Sequence, residues 1–142
     1  MFKTLFRNIK NIFRWLPIIY KDRDWNPHFV YVILKKKFEF MKQYQEKYGH
    51  ALNSQYTAQR INTVIKILDR IIEDDFHNED FWKDVKHEWI PIENGKYFEM
   101  KTVSKYSKKE INEQMEKEDN LRKKYIKTFY SLMQKRLNTF WD

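Results

Sequence analysis

The chain has 142 residues, 42% of them hydrophobic and 18% aromatic, no Cys, and a formal net charge of +8. That length predicts one domain around one core, built largely from rings. The lack of Cys excludes disulfides and thiolate metal sites, and only 2 Gly exclude a glycine-rich phosphate loop or a dinucleotide fingerprint.

Lys, Asn, Ile, Tyr and Phe are heavily used, as in proteins from AT-rich genomes, so part of the positive charge reflects codon usage. A pI near 9.5 still favours anionic partners such as nucleic acid, nucleotides or an anionic membrane. The charge is uneven: residues 69–93 hold nine of the 20 acids against three bases and are net −6, leaving +14 elsewhere. A chain divided this way can associate head to tail, or fold its acidic arm over its own basic surface.

Residues 2–16 read as a strongly amphipathic helix. Phe2, Leu5, Phe6, Ile9, Ile12, Phe13 and Leu16 recur at helical spacing, and Lys3, Arg7, Lys10 and Arg14 occupy the other side. Pro17 is expected to end it. Such a helix can lie on a membrane surface, but in a small globular protein the stripe is expected to pack on the core or on another copy. No stretch has the apolar length to span a membrane and no secretory signal is evident, which predicts a soluble cytosolic chain.

A loop over 17–26 follows, and Asn26-Pro27 reads as an N-cap with Pro in the first helical position. The next helix is expected at about 27–48, with Val30, Ile33, Leu34, Phe38, Met41, Tyr44 and Tyr48 as its stripe. Phe29, Val32 and Phe40 fall off that stripe and predict cover on more than one side. A third helix is expected at about 53–75, with Ala58, Ile61, Val64, Ile65, Leu68, Ile71 and Ile72 inward. Glu73, Asp74 and Asp75 at its end oppose the helix dipole and need a compensating base from another helix.

Residues 78–89 read as a short helix capped by Asn78, with Phe81, Trp82, Val85 and Trp89 inward. Residues 88–103 suggest a small hairpin around Asn94-Gly95, or an irregular loop, with Pro91 restricting its first strand to an edge. Ser107-Lys-Lys-Glu110 matches a capping box opening a long helix at about 108–140. The first half of that helix, to about Arg122, is mostly charged and is expected to project. The fold class expected is all-α: an irregular bundle of four to five helices with one small hairpin or loop insertion, in a single helical domain over 1–142.

The segment Tyr20-Lys21-Asp22-Arg23-Asp24-Trp25-Asn26, followed by an aromatic, Lys-rich helix, resembles a group of small tailed-bacteriophage proteins. Those proteins typically show Trp where this chain has Tyr20 and Asp where it has Asn26. They also tend to end in Trp-Trp-Asp, where this chain has Phe140-Trp141-Asp142. The resemblance implies phage origin and a place in the host cytoplasm, and it carries over no catalytic residue.

The candidate ligand-binding residues are Trp15, Tyr20, Lys21, Arg23, Trp25 and His28. In that reading Arg23 offers a planar bidentate donor to phosphate, Lys21 adds charge, and Tyr20 or Trp25 stacks on a base. The structural alternative pairs Asp22 and Asp24 with Arg23 and buries Trp25 at a helix–helix corner. Glu73 and His77 have i,i+4 spacing and His87 lies further on, but one pair does not make a metal site, so a solvated acidic connector is expected.

No nucleophile, metal or cofactor signature is present, so neither an enzyme nor a cofactor is expected. The function expected is a non-enzymatic phage accessory protein binding an anionic partner during infection: a nucleotide, a nucleic acid or a host defence protein. The alternative is an assembly protein that forms a homo-oligomer through its basic and acidic surfaces. A metal-dependent enzyme using the acids and histidines of 73–87 ranks third.

Overall fold

The computed structural model describes residues 2–22, 26–49 and 53–140. The chain is predominantly helical with one two-stranded antiparallel sheet, so it is not purely all-α. It divides into two compact units, Met1–Ile72 with Arg136–Asp142, and Glu73–Lys135.

The first unit holds helices α1 (Phe2–Ile19), α2 (Phe29–Tyr48) and α3 (Ser54–Glu73, whose last residue belongs to the second unit), plus a 3₁₀ turn at Leu137–Phe140. α1 does not stop at Pro17 but runs through it to Ile19. The pyrrolidine ring removes only the bond to the Phe13 carbonyl, and that turn is exposed enough for water to replace it. The Tyr20 amide still donates to the Leu16 carbonyl at 2.9 Å, so the helical path survives.

α2 begins two residues later than Asn26-Pro27 predicts. Asn26 Oδ1 accepts from the His28 amide at 3.1 Å, and the Phe29, Val30 and Tyr31 amides bond three residues back. The opening turn is therefore 3₁₀-like, and Asn26 closes it as an Asx turn. The inward face of α3 is as expected at Ala58, Ile61, Val64, Ile65, Leu68 and Ile71, all buried, while Ile72 is only half-buried. Phe38 of α2 meets Phe140 edge-on at 6.1 Å, and the Gln45 side chain donates to the Phe140 carbonyl at 3.2 Å. Lys35 pairs with Asp69, linking α2 to α3.

Two stripes depart from expectation. Val30, Tyr44 and Tyr48 of α2 are exposed. The whole described stripe of α1 (Leu5, Phe6, Ile9, Ile12, Phe13 and Leu16) is exposed too, with Phe6 at 72% and Phe13 at 68%. Contacts between α1 and α2 come instead from Arg14 and Trp15, which both meet Phe40. Phe40 is one of the off-stripe residues, so α2 is covered on a second side as its pattern predicts.

The second unit holds α4 (Glu79–Trp82), strands β1 (Val85–Ile92) and β2 (Tyr97–Ser104), and α5 (Lys108–Arg136, whose last residue belongs to the first unit). Asn78 caps α4, its side chain accepting from the Phe81 amide, but the helix lasts only four residues. From Val85 the chain is already extended, so Trp89 is not inward but lies on a strand, 66% exposed. The apolar spacing that mimics a helix here is overridden by pairing along the full hairpin, from Val85↔Ser104 to Ile92↔Tyr97.

The connecting turn is Glu93–Lys96, with left-handed backbone at Glu93 (φ 48°) and Gly95 (φ 84°). Pro91 is tolerated because either strand of a two-stranded sheet is an edge. At the base of the hairpin Lys105 pairs with Asp84 at 2.5 Å, and Phe81 stacks on Tyr106 at 4.1 Å. The capping box forms as expected: the Glu110 amide donates to Ser107 Oγ at 3.3 Å and the Ser107 amide to Glu110 Oε2 at 2.8 Å.

The different burial of α3 and α1 sets an expectation for stability. Leu68→Ala lowers the unfolding free energy by about 2–5 kcal/mol, whereas Phe13→Ala changes it by less than about 0.5 kcal/mol. Urea unfolding of the two variants checks this; a comparable loss in both would show that the α1 stripe packs on the core.

Candidate functional site

The sequence-derived site is dispersed. Trp15 is half-buried and meets Phe40 edge-on at 5.2 Å, which makes it a packing ring. Tyr20 is 82% exposed and Lys21 is exposed. His28 is half-buried, its ring edge-on to Tyr31 at 6.1 Å. Arg23 and Trp25, the proposed phosphate donor and stacking ring, lie outside the described residues, as does Asp24. Among the described residues no hydrogen bond or ring contact joins Trp15, Tyr20, Lys21 and His28 to one another.

A different constellation lies between α1 and α2. Two adjoining hollows of about 480 and 370 Å³ share Arg14, Phe40 and Tyr44 in their walls. Lys10 from α1 and Lys37 and Lys47 from α2 complete their charged lining, and among the described residues no acid lines either one. The Arg14 guanidinium lies 3.3 Å from the Phe40 ring centre and donates to the Gln43 side chain at 2.9 Å, so its plane is held in place. Tyr44 and Tyr48 stand 5.8 Å apart with exposed faces, and Lys47 lies 5.2 Å from the Tyr48 ring. Cations alternating with open aromatic faces are the chemistry that holds a phosphate-bearing, ring-bearing ligand.

Helical spacing produces this groove. Lys10 and Arg14 are one turn apart on α1; on α2, Phe40, Tyr44 and Tyr48 advance by four residues and Lys47 lies three beyond Tyr44. Helical spacing predicts Tyr44 and Tyr48 on the inward stripe of α2, and Lys10 and Arg14 only on the polar side of α1. The signal that could have found the groove is Phe40, an apolar residue off the main stripe beside a Lys-rich turn.

The second unit holds a larger cavity, about 1080 Å³, lined by Trp82 and Met115 and by the carboxylates of Glu79, Glu116, Glu118 and Asp119. At its wall Glu118 is only 6% exposed. Its carboxylate accepts from Trp82 Nε1 at 2.7 Å, Gln114 Nε2 at 2.8 Å and the Asn78 amide at 2.9 Å, and lies 2.9 Å from His77 Nδ1. Burial by itself would raise the Glu118 pKa, but the bonds from Asn78, Gln114, Trp82 and His77 outweigh it and hold the carboxyl below its ordinary value. A carboxylate so engaged organises structure.

The acidic connector is likewise anchored. Asp74 is met by both Nε and Nη2 of Arg122, at 2.8 and 3.0 Å, so the base that the end of α3 requires comes from α5. Because α3 ends at Glu73, and Asp74 is left-handed at φ 51°, Glu73 and His77 do not share a helix face. Among the described residues no three His, Asp or Glu converge as metal ligands.

Glu118→Ala leaves three N–H donors without their acceptor and should cost about 3 kcal/mol of unfolding free energy. A carboxyl held low in the native state contributes stability that is complete above its unfolded value of about 4.3 and is lost as pH falls through the lower native value. Urea unfolding between neutral and acid pH should therefore show the wild type losing more stability on acidification than Glu118→Gln; parallel curves would mean that Glu118 is not the anchor.

Compared with protein-family models, curated proteins and solved structures, the chain matches none.

Proposed function

We propose that this chain is a non-catalytic binding protein whose α1–α2 groove captures an anionic, ring-bearing partner, a nucleotide or a single-stranded nucleic acid. The observation that carries this reading is the clustering of Lys10, Arg14 and Lys47 around the Phe40, Tyr44 and Tyr48 rings, with no acid among the described lining residues. Phosphates neutralised by these cations would release counterions, and bases would stack on the open tyrosine faces. The resemblance to small tailed-phage proteins supports a role for this binding in the cytoplasm of an infected host.

A second reading, assembly through oppositely charged surfaces, is favoured by one observation. The cavity of the second unit carries Glu79 and Glu116 beside the already engaged Glu118 and Asp119, while Arg122 and Lys83 in its wall are paired with Asp74 and Asp80. That acidic surface complements the basic groove of another copy.

Titration of a fluorescent single-stranded oligonucleotide separates the two. In the groove reading, Lys10→Glu/Lys47→Glu weakens binding about tenfold or more and reduces the salt slope by roughly two, with melting temperature unchanged. Tyr44→Ala costs about 1–3 kcal/mol of binding by removing a stacking face. Absence of oligonucleotide and nucleotide binding, together with an oligomer that dissolves in salt, would establish assembly instead.

A further inference from the structure

The described apolar stripe of α1 faces away from its own unit. At about 100° per residue, Leu5, Phe6, Ile9, Ile12, Phe13 and Leu16 form one continuous sector of the helix. Arg14 and Trp15, which meet α2, bracket a direction roughly opposite that sector, and Ile18 between them is half-buried. α1 thus turns its polar side to the protein and its apolar side outward, the reverse of an ordinary surface helix. The stripe runs along a helix of 18 residues, about 27 Å.

The charge along this helix identifies what covers it. Residues 1–21 contain no acid and five bases, Lys3, Arg7, Lys10, Arg14 and Lys21. Arg7, Lys10 and Arg14 fall in one sector directly beside the stripe. Pairing the stripe with the same stripe of a second copy would gather these cations with no acid of either helix to offset them. An anionic lipid surface meets both demands, taking the apolar side chains at the acyl boundary and the bases at the phosphates. Tyr20 continues the stripe one turn beyond Leu16 and is 82% exposed, and an amphipathic ring suits that depth. No described helix is long and apolar enough to cross a membrane, which leaves α1 lying along the surface.

We propose that α1 is an interfacial anchor that docks this protein in the plane of an anionic phospholipid surface through the outward stripe from Leu5 to Leu16. This docking does not rest on the nucleotide reading: Lys10 and Arg14 border both surfaces, but the apolar stripe and Arg7, which its test substitutes, line neither hollow of the groove. The two are compatible: a protein seated on this stripe keeps the α2 wall of the groove, with Tyr44 and Lys47, off the lipid.

Co-sedimentation of the full chain with phosphatidylcholine vesicles, with and without phosphatidylglycerol, tests the anchor. The protein should pellet with the phosphatidylglycerol vesicles and remain in the supernatant with phosphatidylcholine alone. Phe6→Asp/Phe13→Asp, at two exposed positions, should reduce pelleting at least about tenfold while leaving melting temperature and oligonucleotide affinity unchanged. Arg7→Glu should also weaken pelleting, about fivefold, in keeping with the contribution of one base near an anionic surface.

Three results would overturn the anchor. One is no pelleting with either vesicle. Another is pelleting that survives the double substitution. The third is a concentration-dependent dimer, dispersed by the double substitution, in a protein that ignores vesicles; the stripe would then be a contact between copies. Vesicle binding with no oligonucleotide binding would sink the groove reading and leave the anchor standing.

Discussion

A carboxylate withdrawn from water must have its acceptor positions filled, and Glu118 shows what that requires. Four partners converge on it: Asn78, Trp82, Gln114 and His77. Three of them lie in the short segment between the end of α3 and the start of the hairpin, so satisfying one side chain of α5 holds that whole segment in place. The Asp74–Arg122 pair adds a second tie one helical turn further along α5. With 74–82 held at both ends, α4 is limited to four residues, and Phe81 is presented to Tyr106 at the root of the hairpin. Removal of Glu118 would expose several donors at once, which is why this group has more leverage than any single ring contact in the unit.

In the first unit the comparable constraint is the Arg14–Phe40–Trp15 contact. A guanidinium held over one face of a ring, with an indole at its edge, is enough to orient α1 about its own axis. That orientation has two consequences that cannot be separated. Lys10 and Arg14 turn toward α2 and make a basic groove with its tyrosines. The isoleucines, leucines and phenylalanines of α1 turn outward. The charge asymmetry follows the division into units: the basic groove lies in the first, and most of the acidic connector, with the carboxylate-lined cavity, lies in the second.

Much of the local structure was legible in the chain. The capping box at Ser107–Glu110, the cap at Asn78 and the buried face of α3 each depend on residues within a few positions of one another. The need for a base near Asp74 was also legible, because an uncompensated helix C-terminus is a local electrostatic problem. Its source was not, since Arg122 is 48 positions away. Pro17 and Trp89 misled for a common reason. A proline that usually ends a helix, and an apolar spacing that usually continues one, are local preferences that exposure at Phe13 and pairing across the hairpin overrode.

The candidate site was legible only in its chemistry. Basic and aromatic residues were the expected lining, but the chain order placed them at the corner between Tyr20 and Asn26 rather than between α1 and α2. What the amino-acid order determined by itself is the amphipathic division of α1, the period of α3 and the caps, because all of these are set by spacing along the chain. The tertiary structure decided which side of α1 faces α2, that Tyr44 and Tyr48 are open rather than buried, and that Glu118 is the saturated acceptor of its unit. Those outcomes depend on partners far apart in sequence, and a periodic stripe states that a face is apolar without stating what will cover it.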